Sequence, residues 1–343
     1  MVKARKYIVI KNFEGAPKKT DFKMVQFDLP SLKDQEILVK VEWISVDPYL
    51  RTFNNNYGLP YDQFGYQVGI VQESKNDNYP VGTRVVSHQG WCDYCIINPD
   101  IVIRSNTFGI PHEIAYKLPV ELRDLSASLG VGAVGFPGAA AYFGLLEICK
   151  PRPGAILAVT NAAGAVGSVV GQIAKIKGCT VIGFTDSDAK VQWLTKELGF
   201  DHAFNYKTVN VTQVLKKAAP HGVDCFFDNV GGQLSYAIMK EMKQHGRVAI
   251  CGCISAHNQS RTDIFRRNVV QPTILVKQLR VEGFLAFRWT VRWPQAFEDL
   301  AKWIQNGDIK VKEHVTEGFD NVVDAFLGML TGDHFGKAVV KVS

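Results

Sequence analysis

The sequence predicts an α/β protein: a doubly wound parallel sheet, preceded by a smaller domain of short strands to which the chain returns at its end. Three observations carry this. From about residue 128 to 304 apolar strand-like runs alternate with helical patterns, the signature of strands feeding a parallel sheet. At 156–184 a β-branched apolar run enters a Gly/Ala-rich turn, then a helix, then a second apolar run. Residues 1 to about 127 read instead as short strands broken by Gly and Pro, and 305–343 return to that pattern.

In the first segment, 35–45 alternates polar and apolar residues for a strand, 68–73 gives another, and the turn 80–83 feeds a third. Regular spacing of such strands makes a small barrel-like β domain. In the second segment the strand 156–160 leads into Asn161-Ala-Ala-Gly164-Ala165-Val166-Gly167, and a helix runs on to 177. A strand at 180–184 follows, then a helix at 189–198, a strand at 203–205 and a helix at 211–218. The strand 223–228 stops at Asn229-Val-Gly-Gly232, before a helix at 234–242 and a strand at 247–251. The last strand is expected at 279–287 and the last helix at 294–305; the tail reads as strands at 312–317 and 336–342. The expected domains are therefore 1–127 with 305–343, and 128–304.

Strand, Gly-rich turn, helix and strand together are the opening of a Rossmann dinucleotide-binding sheet. The turn reads Ala162-x-Gly164-x-x-Gly167, with Ala in place of the usual first Gly. Its glycines let the backbone of Asn161, Gly164, Ala165, Val166 and Gly167 approach a pyrophosphate, whose charge faces the helix N-terminus. A plain tight turn is the competing reading.

Composition narrows the remaining classes. At 343 residues, 46% hydrophobic and 21% charged, the chain suits a globular protein of two domains rather than a disordered one. The net charge of +6 is mild, and short clusters such as Lys216-Lys217 and Arg266-Arg267 read as solvated faces, so no nucleic-acid partner is expected. Two uncharged stretches, 125–146 and 153–174, are interrupted by Gly and Pro turns, so no membrane span is expected either. The first residues lack an apolar signal core, and the seven cysteines are odd in number and several lie in apolar strands. They are read as reduced, which implies a cytoplasmic protein.

A β domain, a nucleotide-binding domain and a β tail follow one another as in the medium-chain dehydrogenases and reductases, many of which use zinc. Zinc needs three or four Cys, His or acidic ligands at suitable spacing. The segments that resemble the ligand-bearing ones read Gly65-Tyr66-Gln67 and Ser45-Val-Asp-Pro-Tyr49, and Cys92-x-x-Cys95 has no second pair. No metal is expected. Without a Lewis acid to stabilise an alkoxide, the favoured hydride acceptor is a carbon–carbon double bond conjugated to a carbonyl.

Several segments carry a closer resemblance: Ser45-Val-Asp-Pro-Tyr-Leu-Arg51, Phe136-Pro-Gly with Ala141-Tyr-Phe-Gly-Leu-Leu-Glu-Ile-Cys149, the turn and helix 161–175, Phe204-Asn-Tyr-Lys-Thr208, Phe227-Asp-Asn-Val-Gly-Gly232, Ile250-Cys-Gly252, Phe287-Arg-Trp289 and Glu317-Gly-Phe319. In these the chain resembles the zinc-independent prostaglandin reductases, also called leukotriene hydroxydehydrogenases and 2-alkenal reductases. The resemblance implies a GroES-like β-barrel catalytic domain beside the Rossmann domain, and a homodimer joined through the nucleotide-binding domains, with 280–287 as the joining edge. It implies NADPH as cofactor and an α,β-unsaturated aldehyde or ketone as substrate. Hydride reaches the β-carbon, negative charge develops on the carbonyl oxygen as an enolate, and a proton reaches the α-carbon.

The same resemblance assigns residues. Thr185 fills the strand-end position that selects between NADPH and NADH; Lys190 and Tyr206 match the 2′-phosphate contacts, and Asp186 stands where relatives carry a small residue. Asn229, the loop of Cys251, Gly252 and Ser255, and the strand residues Phe284, Leu285 and Ala286 match the nicotinamide end of the cofactor site. His257 replaces a family Tyr near the nicotinamide ribose, and His334 replaces a cofactor-binding Asn. Tyr49 and His257 are the expected catalytic residues, as donors to the enolate. Each has a plainer reading: Lys190 a solvated helix lysine, Tyr206 a core-edge aromatic, Asn229 a turn residue, Tyr49 a packed aromatic, His257 a surface histidine. The segment 52–63, with three consecutive asparagines, departs from the family and is expected at the substrate entrance. Two other functions stay open: an NADPH quinone oxidoreductase, and a non-catalytic NADPH-binding protein.

Overall fold

Six parallel strands stand in the order His202–Asn205, Thr180–Thr185, Ile156–Thr160, Val223–Asp228, Met242–Ile250, Arg280–Gly283. Numbered along the chain this is 3-2-1-4-5-6, the doubly wound order. The computed structural model describes residues 2–52, 57–101, 103–104, 111–113, 115–119, 122, 125–257, 269–332 and 334–342. The sheet lies in one of two compact units, Phe136–Lys312; the other is Met1–Gly135 with Glu313–Ser343.

The central strands are apolar without alternation because both their faces are covered. Leu157, Ala158, Val159, Val181, Ile182, Phe184, Phe226 and Phe227 are all fully buried. Burying a side chain of this size contributes about 1.5–3 kcal/mol, so these strands hold the unit together. Helices Gly167–Ile176, Asp188–Lys196 and Val211–Ala218 connect them. Ser187 and Asn210 cap the last two by accepting from the N–H of Lys190 and Gln213.

In the other unit the strand Ile37–Ser45 pairs antiparallel with Gln67–Ser74 and with Lys337–Lys341, which runs parallel to Glu313–Glu317. The tail thus completes the sheet begun at the start of the chain. Its core gathers Ile37, Ile44, Leu50, Trp91, Phe319 and Phe326. The Lys337 ammonium is buried here, 3.2 Å from Asp47 and donating at 2.7 Å to the carbonyls of Val46 and Ala338.

Four local features differ from the sequence expectation. The helix Phe136–Phe143 and the π-helical turn Gly144–Cys149 were not expected. Residues 137–143 are buried throughout, so no polar face gives them a helical period. The tail contains a helix, Val322–Thr331, ended by Gly332 at φ 83°. The last strand stops at Gly283 rather than continuing to 287, so Phe284, Leu285 and Ala286 are not strand residues. Phe284 still donates its N–H to Ile250 at 3.3 Å, but its ring turns in against Phe227 and Trp289, and a 3-10 helix runs Ala286–Arg292. Finally, the unit boundaries fall at 135/136 and 312/313. The 3-10 turn Ala127–Val131 packs on Ile37–Ser45 and Gln67–Ser74, while Lys310 exchanges two hydrogen bonds with Gln172.

Candidate cofactor and active site

The Gly-rich turn follows the carboxyl end of Ile156–Thr160. Asn161 takes φ 49°, a left-handed conformation unusual for a non-glycine, and its carbonyl accepts the N–H of Gly164 at 3.0 Å. A Cβ on Gly167 would lie 2.3 Å from that carbonyl oxygen, so only glycine fits. Ala162, in the usual glycine position, is fully buried and donates its N–H to Phe184. Gly183 makes room for it, since a Cβ there would stand 3.0 Å from the Ala162 methyl. This is a backbone cradle at a helix start, fitting a pyrophosphate.

Beside it, the strands Ile156–Thr160 and Val223–Asp228 are tied at their ends. The Thr160 hydroxyl donates to Asp228 Oδ1 at 2.9 Å and accepts the Asn229 N–H at 2.9 Å. Asp228 Oδ1 also accepts the N–H of Val230 and Gly231, each at 3.0 Å. The Asn229 amide donates to the Thr160 carbonyl at 2.7 Å. Asn229 is therefore held at the switch point where strand order reverses, the usual ligand crevice of such sheets. Sequence reasoning missed Thr160 and Asp228. The signal was a carboxylate closing a buried strand before Asn-Val-Gly-Gly, where a charge has no place unless bonded.

The next strand end carries Thr185, which is 2% exposed. Its carbonyl accepts the Tyr206 N–H at 3.0 Å, which sets the two side by side. Lys190, on the helix Asp188–Lys196, points its ammonium to Asp186 at 2.8 Å, and Lys207 approaches the other Asp186 oxygen at 4.0 Å. Burial raises the Tyr206 phenol, and the Asp186 carboxylate adds to it. Two ammonium groups and a phenol fit a phosphate on the ribose.

On the far side, Cys251 and Gly252 donate their N–H groups to the Asp228 carbonyl at 2.9 and 3.2 Å. Ser255 donates to Val230 at 3.0 Å, and His257 ends the short turn Ile254–Ala256 with its N–H on the Ile254 carbonyl. Exclusion of water pushes the Cys251 thiol up to about 12, with the Asp228 charge adding, so it stays protonated. The carbonyl of Ala286 is taken by the Trp293 indole at 3.1 Å and that of Leu285 by the Arg288 N–H at 3.0 Å, while Leu285 is 42% exposed.

In the other unit Tyr49 opens the turn Tyr49–Thr52. The motif around it anchors that turn. Asp47 holds Lys337 and accepts the Ser45 hydroxyl, while the Arg51 guanidinium donates to the Gly15 carbonyl at 2.7 Å and lies over Phe13. Tyr49 is presented by these anchors, with its hydroxyl 3.2 Å from His88 Nε2. His88, 9% exposed, was not singled out in the sequence, which places nothing distinctive around it. Burial pushes the Tyr49 phenol well above its ordinary value, with Asp47 and Tyr66 adding, so it remains a hydrogen-bond donor. His334 stacks on His314 at 5.1 Å between ring centroids. Gln67 lies between two thiols, donating to Cys95 at 3.1 Å and accepting from Cys92 at 3.6 Å, so the Cys-x-x-Cys pair is a packed polar cluster. Residues 53–56 of the expected entrance segment, and Arg266-Arg267, lie outside the described residues. Among the described residues no group of three or more His, Cys, Asp or Glu is set to hold a metal ion.

Family models described as "N-terminal domain of oxidoreductase" and "Zinc-binding dehydrogenase" match residues 5–104 and 165–306. Prostaglandin reductase 1 of Bos taurus is 45% identical over 344 residues, spanning 99% of this chain and all of that protein. The chain belongs to the prostaglandin reductase family. The NADP(+)-dependent 2-alkenal reductase of Nicotiana tabacum is 33% identical over 354 residues, covering 99% of this chain and 98% of the relative. The structure of CurA from Vibrio vulnificus in complex with NADPH matches with a TM-score of 0.86 at 31% identity, over 99% of each chain. Membership of the prostaglandin reductases agrees with the motifs that carried the resemblance, which lie on both units.

Proposed function

We propose that this member of the prostaglandin reductase family reduces the carbon–carbon double bond of α,β-unsaturated aldehydes and ketones with NADPH. The observation that carries the reading is the cofactor edge of the parallel sheet. There the turn at 161–167, the Thr160–Asp228–Asn229 knot and the Lys190–Tyr206 corner follow one another along the strand ends, in a chain 45% identical to a prostaglandin reductase.

NADPH, when bound, supplies the hydride for the β-carbon. The backbone of Asn161, Gly164, Ala165, Val166 and Gly167 holds the pyrophosphate. Lys190 and Tyr206 hold the 2′-phosphate, beside Thr185. Asn229, Cys251, Gly252, Ser255 and Leu285 border the nicotinamide, with Phe284 and Ala286 packed behind. The Tyr49 phenol donates a hydrogen bond to the enolate oxygen, and such a donor accounts for about 10²–10³ of the rate. His257 and His334 stand in for the family's Tyr and Asn as further donors. The α-carbon is protonated by water.

The reading extends to assembly and place. A homodimer is supported by the strand Arg280–Gly283, which stands last in its sheet among the described residues, and by exposed apolar side chains: Leu275, Val276 and Val291 are 77%, 71% and 94% exposed. Seven unpaired cysteines support a reducing, cytoplasmic setting. No helix among the described residues is long and apolar enough to cross a membrane.

The test is oxidation of NADPH and NADH with a medium-chain enal, an enone and a quinone in parallel. NADPH consumption with the enal or enone, giving the saturated carbonyl, is expected. Turnover confined to the quinone would replace the reading with a quinone reductase. Tight NADPH binding without turnover would make the chain a binding protein.

A further inference from the structure

We propose that Asp186 is a built-in counter-ion for the 2′-phosphate corner, and that by neutralising Lys190 it narrows the protein's preference for NADPH over NADH. The proposal deepens the functional reading above and rests on it. Lys190 is a desolvated cation whose side chain is 9% exposed, and an ammonium in that position is costly without an anion. Asp186, 23% exposed, supplies one at 2.8 Å, reaching it from four residues earlier. Its second oxygen faces Lys207 at 4.0 Å, and the Thr185 hydroxyl donates at 3.4 Å to the oxygen that holds Lys190. The remaining acid of the corner, Asp188, is occupied by the Asn205 amide at 2.9 Å. The Asp186 carboxylate therefore sits among the groups that fit a phosphate: Lys190, Lys207 and the neighbouring Tyr206.

A 2′-phosphate must compete for a cation that is already paired. Two anions cannot share one poorly solvated ammonium without repulsion, so the carboxylate has to swing toward water and give up its bond. A 2′-hydroxyl carries no such conflict, because it can donate a hydrogen bond to the same carboxylate. Asp186 thus taxes NADPH and not NADH.

The experiment is equilibrium binding of NADPH and NADH by calorimetry to the wild type, Asp186→Ser and Asp186→Asn. Removing the charge is expected to tighten NADPH about tenfold, the scale of one charge-assisted hydrogen bond, and to leave NADH unchanged or weaker. In a Lys190→Met background the Asp186 substitution is expected to have a smaller effect on NADPH, because only the contact with Lys207 and the repulsion of the phosphate remain. The isosteric Asp186→Asn decides the matter if the serine variant folds poorly. An unchanged ratio of the two affinities in a folded Asp186 variant would overturn the proposal, as would an undiminished effect in the Lys190→Met background. A wild type that binds neither cofactor would instead overturn the functional reading, and this proposal with it.

Discussion

One oxygen of Asp228 accepts the Thr160 hydroxyl at 2.9 Å and, from the same position, the N–H groups of Val230 and Gly231 at 3.0 Å each. The carboxylate is 2% exposed and joins the ends of two neighbouring strands whose residues are 68 apart in sequence. It fixes where Asn229 and the loop after it begin. Asp228→Ala would leave a hydroxyl and two amide groups without their acceptor. We expect a loss of about 3 kcal/mol in urea unfolding and weaker NADPH binding. A loss below about 1 kcal/mol would mean that the loop holds itself.

The turn discriminates between its two glycines. A Cβ at Gly167 meets the Asn161 carbonyl oxygen at 2.3 Å, whereas at Gly164 it meets the Asn161 side-chain nitrogen at 2.6 Å. Backbone cannot give way, but the end of a side chain can. Gly167→Ala should cost about 1–3 kcal/mol and at least tenfold in NADPH affinity, and Gly164→Ala distinctly less. Equal losses in calorimetric titration would refute this ranking.

Tyr49→Phe keeps the ring and removes the donor. The expected outcome is a fall of about 10²–10³ in kcat with NADPH affinity unchanged. Because burial raises the phenol, the wild-type rate should show no loss from Tyr49 ionisation below about pH 10. A Tyr49→Phe enzyme with full turnover would leave the phenol a packing residue.

Glu313 gives a pH prediction. Its Oε2 accepts the Ser128 hydroxyl at 2.5 Å, but Oε1 is buried and has no hydrogen-bond partner among the described residues. Burial raises its carboxyl above 4.5, more than the Ser128 bond and Lys337 lower it. A folded value raised above the unfolded one gives stability that is full below the unfolded value and lost as pH rises through the folded one. Relative to wild type, Glu313→Gln should therefore gain stability as pH rises above about 4. Urea midpoints that move the other way would show that the ionised form is the favoured one.

For the dimer, sedimentation should give twice the chain mass, and Val291→Asp should shift the distribution toward single chains. A wild type that sediments as one chain at micromolar concentration would count against the edge-to-edge assembly.

Much of the nucleotide-binding unit was legible because its strands are buried on both faces. Such strands read as unbroken apolar runs, and glycines mark the turn between them. The limits of Val223–Asp228 and Val211–Ala218 could be read to the residue. The helix Phe136–Phe143 was not legible, because a helix buried all round has no amphipathic period. The early end of Arg280–Gly283 was hidden by a run of apolar residues that continues past it, with Phe284 turning inward instead of extending. At the site, the turn glycines, Thr185, Lys190 and Tyr206 could be placed along the chain. The Lys190–Asp186 pair and the Tyr49–His88 contact could not, because each depends on how side chains point. Asp228 was quoted within a motif, yet its role appears only when Thr160 is brought beside it.

The central claim is that hydride goes to the β-carbon of a conjugated carbonyl, and labelled cofactor tests it most directly. NADPH carrying deuterium at the transferable C4 position is incubated with the protein and an enone, and the product is read by NMR. We predict a saturated ketone with one deuterium on the β-carbon. Deuterium on the carbonyl carbon of an allylic alcohol, or none in the product, would contradict it.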